Sequence, residues 1–454
     1  MAESSRANFG SRMGVILATA GSAVGLGNVW RFPYMTGQNG GAIFIIIYLV
    51  CVLILGIPCI ISEFIIGRHA QANTARAYAH ASGGSKLWTA VGAMGVLTGF
   101  LITSYYAVIS GWCLQYIYAT CQGELKGDAT YVKEYFSSFM TDPVLPLLWT
   151  VLFFFMTHLI ITRGVREGIE RTSKLLMPLL FILLLVIVGA SCMLPGATEG
   201  IKFMLLPDVS KVSPSLFLSA LGQSFYSLSI AMGCLCTYAS YFSRDTNLVK
   251  SAVQISLIDT MVAILAGLMI FPAAFSAGIE PDAGPSLIFI TLPTVFQQAF
   301  AAMPLVGTVV AFMFYCLLAL AALTSLISLH EVSTAFFQEE LHIDRRWGAL
   351  IVTVSCCCIG CLCSLSLGSL EGLQLFGMPL FDFLDFVTGQ IFLPVGGFLT
   401  CVFIAWRMDR QVVRDQFTNW GTVSKSFYTA YLYLMKYVCP IAILIIFLHQ
   451  FGVI

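Results

Sequence analysis

Charged side chains are scarce in this sequence. Asp, Glu, Lys and Arg make up 10% of its 454 residues, whereas soluble domains carry about 25%. The 23 acidic and 23 basic residues cancel, so the formal net charge is zero. A chain with so few charges cannot cover a soluble surface with them, and it offers no basic patch for nucleic acid. These shortages exclude an ordinary soluble domain and argue against a nucleic-acid partner.

Residues with catalytic chemistry are also few and scattered. The six histidines stand alone or in loops, at His69, His80, His158, His330, His342 and His449. They form no Ser/His/Asp arrangement and no metal-ligand spacing in the sequence. We therefore do not predict an enzyme.

The fifteen cysteines do not resemble a disulfide framework. Almost all lie in apolar runs, where Cys behaves as a small hydrophobic residue. The densest group is Cys356, Cys357, Cys358, Cys361 and Cys363. A metal or redox site is one interpretation of this group. Helix packing in lipid explains it better, because a structural metal site needs closed tetrahedral ligation.

Hydrophobic residues, by contrast, make up 58% of the chain. They fall into about eleven runs, each near the roughly 20 residues that a bilayer requires. We number them spans 1 to 11: 13–34, 41–66, 87–120, 146–162, 172–194, 215–242, 252–278, 303–338, 348–366, 379–406 and 431–454. The sequence therefore predicts an all-α integral membrane protein.

The distribution of Lys and Arg between the spans predicts the orientation. If the N-terminus is cytoplasmic, the outside loops contain only Lys126, Lys133, Lys202 and Lys211, and most other basic residues lie inside. This bias follows the positive-inside rule and puts the C-terminus outside. Residues 1–12 have no apolar h-region, so we expect no cleaved signal peptide. The outer segment with Gly278, Pro281, Gly284 and Pro285, followed by residues 287–300, predicts a short re-entrant hairpin.

Span 1 is interrupted by polar and helix-weakening residues between Gly21 and Pro33. Each of Gly25 and Gly27 lowers helix stability by roughly 1 kcal/mol relative to Ala. Broken helix at membrane depth is tolerated where it lines protein or a cavity, and it marks ion and substrate sites in transporters. A small-residue packing motif would also explain the glycines. It would not explain Asn28 and Arg31 in the same span.

A second interruption falls in span 6, between Gly222 and Gly233, where the run is Ser-rich and polar. Serines alone often bond to their own helix, so this stretch by itself is ambiguous. The two interruptions lie five spans apart, however. That spacing is expected if spans 1–5 and 6–10 form an inverted repeat followed by an extra span 11.

Oxygen atoms at the interruptions are candidate ligands for sodium, since hard cations prefer oxygen. Backbone carbonyls near Gly21, Ala23 and Val24 supply such atoms. The candidate side chains are Asn28, Ser227, Thr324, Ser325 and Asp259. Asp259 lies within span 7, and an ionisable residue inside a membrane span predicts a functional role.

Three stretches resemble the neurotransmitter:sodium symporter family, in particular its bacterial amino-acid branch. They are Gly21–Pro33, Gly222–Tyr241 and the motif Ala321–Ser325, and the resemblance extends over nearly the whole chain. It implies one transporter domain, residues 1–454, with about 11 transmembrane helices in a 5+5 inverted repeat. Helices 1 and 6 would be broken at mid-membrane. The repeats would span about residues 10–195 and 212–406, with an extra helix at 431–454.

The resemblance implies two sodium sites. The first would use Ala23, Asn28, Ser227, Asp259 and the substrate carboxylate. The second would use Gly21, Val24, Ala321, Thr324 and Ser325. Several members carry Asn at the position of Asp259, and animal members need chloride beside this site, where Tyr48, Gln223 and Ser227 match and Ala263 replaces a Ser. A fixed carboxylate implies that chloride is not required.

The resemblance also assigns a substrate pocket. The substrate carboxylate would meet the amides of Gly25 and Gly27 and the hydroxyl of Tyr106. Amine transporters of the family carry Asp at the position of Gly25, so Gly favours an amino acid. The remaining pocket residues would be Ala23, Ile102, Tyr226, Ser227, Ser229, Met232, Ser325 and Leu329. Met232 replaces an aromatic residue, and Ala231 replaces a Gly found in many members.

Gates and a hinge are implied in the same way. Arg31 and Asp385 would form the outer gate, and Arg6, Glu339 and Tyr241 the inner gate. An ordinary solvated surface is the alternative interpretation of Arg6 and Glu339. Glu63 would bond the amides of the broken helices. Gly168 and Pro178, with nine residues between them, would form a hinge in span 5, because Pro removes a backbone donor.

Together these features predict sodium-coupled symport of a neutral hydrophobic or aromatic L-amino acid into the cell by alternating access. The expected partners are the amino acid, Na⁺ and the lipid bilayer, and the expected location is the bacterial inner membrane. A non-transporting sodium and amino-acid sensor of the same fold, or an ion channel, remain alternatives. The oligomeric state and the preferred amino acid are not indicated.

Overall fold

The computed structural model describes residues 9–278, 287–370 and 372–450 of the chain, and these are almost entirely helical. Strands in those ranges form one small antiparallel hairpin, Gln374–Leu375 with Met378–Pro379. Eight helices are long and apolar enough to cross a membrane: Ala42–Ala70, Lys86–Gln122, Val165–Cys192, Leu248–Ala277, Pro304–Glu340, Arg345–Ser366, Leu380–Arg407 and Lys425–His449. They correspond to spans 2, 3, 5, 7, 8, 9, 10 and 11. The prediction of a multi-span all-α protein is confirmed.

Span 1 is broken as predicted. Its halves, Arg12–Ala23 and Gly27–Gln38, are bent by 56° relative to each other. Val24 has extended backbone angles at the end of the first half, with φ −70° and ψ 102°. The second half begins with a wide helical turn, Gly27–Arg31. The two glycines therefore coincide with the place where the helix is interrupted.

Span 6 is broken more widely. Helices Pro214–Ser227 and Cys234–Ala239 are separated by the non-helical residues 228–233. In this link Ser229 and Ala231 have positive φ angles of 52° and 66°, which are uncommon for residues with a side chain. This second break is also confirmed. Local sequence explains this break less well than it explains the break in span 1, because Ser229 and Ala231 are not glycines. Tertiary contacts therefore have to hold the link in place.

Span 4 is the helix Leu145–Ile161, which follows Ala129–Thr141 at a bend of 73°. The hydropathy pattern predicted span 4 but missed the helix before it. It also missed the short helices Thr74–Ala81, Ala197–Leu205 and Arg410–Phe417. These helices connect spans and carry polar or charged residues, so a search for long apolar runs passes over them.

The segment predicted to form a re-entrant hairpin contains a short apolar helix, Leu287–Ala299. Tyrosines from spans 3 and 8 hold it at its beginning. Tyr116 donates to the carbonyl of Phe289 at 2.8 Å, and Tyr315 donates to the carbonyl of Ile288 at 2.9 Å. The predicted turn residues Pro281, Gly284 and Pro285 lie outside the described residues.

Small residues let the helices approach closely around the two breaks. A Cβ on Gly67 of span 2 would lie 2.0 Å from the carbonyl oxygen of Cys236, so only Gly fits beside the second half of span 6. Close packing through small residues is how helices associate where lipid offers no hydrophobic driving force. Spans 3, 7 and 8 surround the same region with buried residues along their length. The breaks therefore face protein rather than lipid.

Candidate functional site

A cavity of about 40 Å³ lies between the broken parts of spans 1 and 6. All eleven residues predicted to bind substrate line it: Ala23, Gly25, Gly27, Ile102, Tyr106, Tyr226, Ser227, Ser229, Met232, Ser325 and Leu329. The structure adds four lining residues that the sequence analysis did not name: Ser22, Tyr105, Gly389 and Leu393. Residues from five different spans thus meet at one place.

The broken end of span 1 leaves backbone groups that need partners. The amide of Gly25 donates to Asn28 Oδ1 at 3.0 Å, and the amide of Leu26 donates to the hydroxyl of Tyr106 at 3.1 Å. A Cβ on Gly25 would lie 2.6 Å from Ser325 Oγ and 3.0 Å from the Tyr106 hydroxyl. Any side chain at position 25 would therefore displace groups that line the cavity.

The side chains of the predicted first sodium site form one buried cluster around Asp259. Asn28 Nδ2 donates to Asp259 Oδ1 at 2.7 Å, and Ser227 Oγ donates to Asp259 Oδ2 at 2.8 Å. Tyr48 contributes a longer contact of 3.5 Å to Asp259 Oδ2. Asp259 and Asn28 have no solvent exposure. Because a buried carboxylate costs free energy unless it is paired, this cluster is a suitable place for a cation.

The residues of the predicted second sodium site also lie together, between span 1 and span 8. Ser325 Oγ donates to the carbonyl of Val24 at 3.1 Å and approaches that of Gly21 at 3.4 Å. Thr324 Oγ1 donates to the carbonyl of Ala321 at 3.0 Å. All five residues are buried. The set is rich in neutral oxygen atoms, which are ligands that a hard monovalent cation prefers.

Two contacts stabilise the link in span 6. Glu63 of span 2 accepts a hydrogen bond from the amide of Ala231 at 2.6 Å. Ser229 Oγ donates to the carbonyl of Ser22 at 2.9 Å and so joins the two breaks directly. These bonds agree with the role assigned to Glu63, and they explain how a link with positive φ angles is held in place.

A larger vestibule of about 410 Å³ adjoins the cavity, and its walls include Arg31, Tyr226 and Asp385. The Arg31 guanidinium lies over the ring of Tyr226, 4.2 Å from the ring centroid. Asp385 is exposed to the vestibule, next to Tyr105. Arg31 and Asp385, both described, share no ion pair within 4 Å. The predicted outer-gate residues therefore line one opening without closing it.

Asp385→Asn should lower transport more than equilibrium binding of substrate. Closing the vestibule would bring Arg31 and Asp385 together, and the substitution removes this attraction, which is worth about 1 kcal/mol, or roughly fivefold in rate. Sodium-driven uptake and substrate affinity are measured on the same preparation. Asp382→Asn, a vestibule carboxylate in the same helix, is the matched control. Normal uptake by Asp385→Asn would remove the residue from gating.

The opposite end of the bundle is closed by a buried ion pair that the sequence analysis missed. Arg345 at the start of span 9 forms a bidentate pair with Glu331 of span 8 and donates from Nε to the carbonyl of Ile161 at 3.0 Å. Tyr241 donates to Glu331 Oε1 at 2.7 Å. Glu331 is an ionisable residue inside an apolar span. The same signal identified Asp259, and it could have identified Glu331 as well.

The other predicted inner-gate residues lie near this end. Glu339 accepts hydrogen bonds from Asn73, at 2.8 Å from the backbone amide and 3.0 Å from the side chain. The ring of Phe9 packs edge-on against Tyr238 and Tyr241. Arg6 lies outside the described residues. The structure thus connects Tyr241 to Glu331 and Glu339 to Asn73.

The predicted hinge residues lie in a continuous helix. Gly168 is in a wide helical turn, Val165–Glu170, and Pro178 lies inside the helix that follows. A Cβ on Gly168 would be 2.1 Å from the carbonyl oxygen of Ile160, so close packing requires this glycine. Glu170 accepts from the amide of Gly10 at 2.6 Å, tying this turn to the start of span 1. The hinge itself stays a prediction.

Known proteins are similar to this chain over nearly its whole length. The model of the sodium:neurotransmitter symporter family matches residues 6–142 and 141–453. An uncharacterized sodium-dependent transporter of Bacillus subtilis, YhdH, is 38% identical over 100% of this chain and 99% of its own length. A sodium- and chloride-dependent taurine transporter of Bos taurus is 26% identical over 88% of this chain and 71% of its own. The crystal structure of MhsT in complex with L-phenylalanine shares 40% identity with a TM-score of 0.87, covering 98% of this chain and 99% of MhsT.

Proposed function

Since this chain belongs to the sodium:neurotransmitter symporter family, we propose that it carries a neutral hydrophobic or aromatic L-amino acid together with sodium. The observation that supports this proposal most is the convergence of eleven predicted pocket residues on one cavity between the two broken spans. MhsT, similar along nearly its whole length, was crystallised with L-phenylalanine.

The chemistry of the cavity favours a zwitterionic ligand with an apolar side chain. Span 1 presents its broken end and the Tyr106 hydroxyl to the cavity, and groups at a helix terminus favour a carboxylate. Gly25 leaves no side-chain carboxylate there to bind an amine. Ile102, Met232 and Leu329 provide apolar wall, and a charged substrate side chain beside them would be left without a partner.

Two sodium ions would bind at the cluster around Asp259 and at the carbonyls and hydroxyls of spans 1 and 8. Both sets of oxygen atoms include residues that also line the cavity, namely Ala23 and Ser227 in the first set and Ser325 in the second. Each ligand would therefore order groups that the others need, which gives positive linkage between sodium and substrate.

Alternating access would use the two ends of the bundle in turn. The vestibule beside Arg31 and Asp385 is open, whereas the end with Glu331, Arg345 and Tyr241 is closed by buried contacts. We infer that this arrangement faces outward in a bacterial inner membrane, with the N-terminus cytoplasmic and the C-terminus outside. The repeats at about residues 10–195 and 212–406, with the extra helix at 431–454, would supply the moving halves.

Substrate affinity should be about 5- to 150-fold higher in sodium than in potassium, which is the typical range of coupling between two sites. Binding of L-leucine and L-phenylalanine to the purified protein is measured in each salt, followed by uptake into proteoliposomes. L-Lysine and L-glutamate serve as controls and should compete poorly. Equal affinities in both salts would refute the symporter. Sodium-dependent binding without accumulation would indicate a sensor, and substrate-independent current a channel.

A further inference from the structure

Three segments meet around Trp420, at the end of the bundle that the proposed orientation places in the cytoplasm. Arg68 lies in the last turn of span 2, Arg244 in the loop between spans 6 and 7, and Trp420 in the loop between spans 10 and 11. The guanidinium carbons of Arg68 and Arg244 lie 5.1 Å and 4.4 Å from the centroid of the Trp420 ring. We call these three residues the arginine–tryptophan cluster.

Arg68 is buried, and each of its hydrogen bonds goes to an uncharged acceptor. Its Nε and Nη2 donate to the side chain and the carbonyl of Gln416 at 2.6 Å and 2.9 Å. Its Nη1 donates to the carbonyl of Thr246 and to Asn419 Oδ1. These bonds satisfy the donors of Arg68 but do not compensate its charge, which a guanidinium keeps in proteins.

The charge that acts on Arg68 from nearby has the same sign, because it belongs to Arg244. Both guanidinium carbons lie on one indole ring, so they are less than a Debye length apart, which is about 10 Å at 0.1 M salt. Among the residues that the structure describes, neither arginine forms an ion pair within 4 Å, not even with Asp245 beside Arg244. Two cations that repel each other and lack a counterion favour the binding of an anion.

The surroundings of the cluster suit the phosphate group of a lipid. Guanidinium groups bind phosphate through paired hydrogen bonds. Tryptophan favours the membrane interface, where one side is apolar and the other wet, and the Trp420 side chain is 42% exposed. Span 7, which follows Arg244, presents Val253, Leu257 and Met261 as exposed apolar residues on one helix face. Contacts for a headgroup and a surface for acyl chains are thus both present.

We propose that the arginine–tryptophan cluster binds the phosphate group of an anionic phospholipid of the cytoplasmic leaflet. One headgroup would contact both guanidinium groups and so hold the end of span 2 to the two loops. The surface potential of this leaflet is negative and attracts basic residues next to membrane spans. The site goes beyond the transport function proposed above, and none of its residues lines the central cavity.

The test measures binding of phosphatidylglycerol and phosphatidylcholine to the purified full-length protein in mild detergent by native mass spectrometry. Arg244→Gln removes the exposed charge of the cluster, and Trp420→Leu removes the ring but no charge. Arg346→Gln is the matched control, because Arg346 is an exposed arginine next to the exposed Trp347 at the start of span 9. Size-exclusion chromatography shows whether each variant is folded.

The wild type should bind phosphatidylglycerol at least about fivefold more tightly than phosphatidylcholine. Arg244→Gln should lose about fivefold in phosphatidylglycerol affinity, the effect expected of one basic residue near an anionic membrane surface. Trp420→Leu should lose a similar factor, because the guanidinium groups lose the ring on which they lie. Phosphatidylcholine affinity should not change in any variant, and Arg346→Gln should bind both lipids as the wild type does.

Three results would overturn the lipid site. Unchanged phosphatidylglycerol affinity in Arg244→Gln is the first, and it decides the matter even if Trp420→Leu does not fold. An equal loss in Arg346→Gln is the second, since it would indicate a general attraction of the lipid to basic residues. Displacement of the lipid by sodium phosphate, but not by sodium chloride of the same ionic strength, is the third, because the cluster would then bind free phosphate. None of these measurements depends on transport, so their failure is distinct from failure of the proposed function.

Discussion

Asp259→Asn should reduce sodium-driven uptake in chloride-free medium by roughly tenfold or more, and added chloride should restore part of it. Asp259 is fully buried and accepts hydrogen bonds from Asn28 and Ser227. The substitution keeps an oxygen atom at the proposed first sodium site but removes the negative charge. In a low-dielectric site the charge of bound sodium would then lack compensation.

The wild type should work equally well in gluconate and in chloride if, as we propose, the Asp259 carboxylate supplies the negative charge that would otherwise come from chloride. A nearby cation favours the ionised form of a carboxylate, so sodium and Asp259 support each other. Asp415→Asn, which removes a carboxylate that pairs with the surface residue Arg414, is the control and should transport normally. Strict chloride dependence of the wild type would contradict the hypothesis, whatever the Asp259 variant does.

Arg345→Met should destabilise the protein by about 3–5 kcal/mol, since breaking a buried ion pair leaves an uncompensated charge. The Glu331 side chain has no solvent exposure, and that of Arg345 is 18% exposed. Removing Arg345 leaves Glu331 with Tyr241 as its remaining partner at this end. The measurement is the half-life of the folded protein in detergent at a fixed elevated temperature, with bound sodium.

The matched control is Arg76→Met, at an ion pair with Glu340 whose side chains are 45% and 33% exposed. It should cost no more than about 1 kcal/mol, because solvent screens such pairs. The double variant Arg345→Met with Glu331→Gln should regain most of the lost stability, since it removes both charges. If the double variant is as unstable as Arg345→Met, the effect is due to packing and not to an unpaired charge.

The sequence by itself determined the features that depend on local composition. An apolar run of about 20 residues has one low-energy arrangement in a bilayer, a spanning helix that satisfies its own backbone. The positions of the long helices followed from this alone, and so did the break in span 1, where Gly25 and Gly27 weaken the helix. Connecting helices such as Arg410–Phe417 lack a long apolar run and could not be found in this way.

The resemblance to a known family identified the pocket residues, and the structure brings all of them to one cavity. It did not indicate every contact that these and the gate residues make. The guanidinium of Arg31 lies over the ring of Tyr226, and Tyr241 donates a hydrogen bond to Glu331. These contacts join residues that are far apart in the chain, so they depend on how the spans pack against one another and not on the local sequence.

Only the tertiary structure decided whether there is free space beside a given glycine. Gly25 and Gly389 are the same residue type. An added Cβ would nevertheless collide with Ser325 at position 25, whereas at position 389 it would meet no atom within 4 Å. The difference arises from the neighbours that other spans bring to each position. Similarly, the sequence places Glu331 inside an apolar span, but only the packing of span 9 brings Arg345 beside it. Hydropathy and helix propensity are properties of a segment, whereas packing and ion pairing are properties of the assembled bundle, and only the latter give these residues their roles.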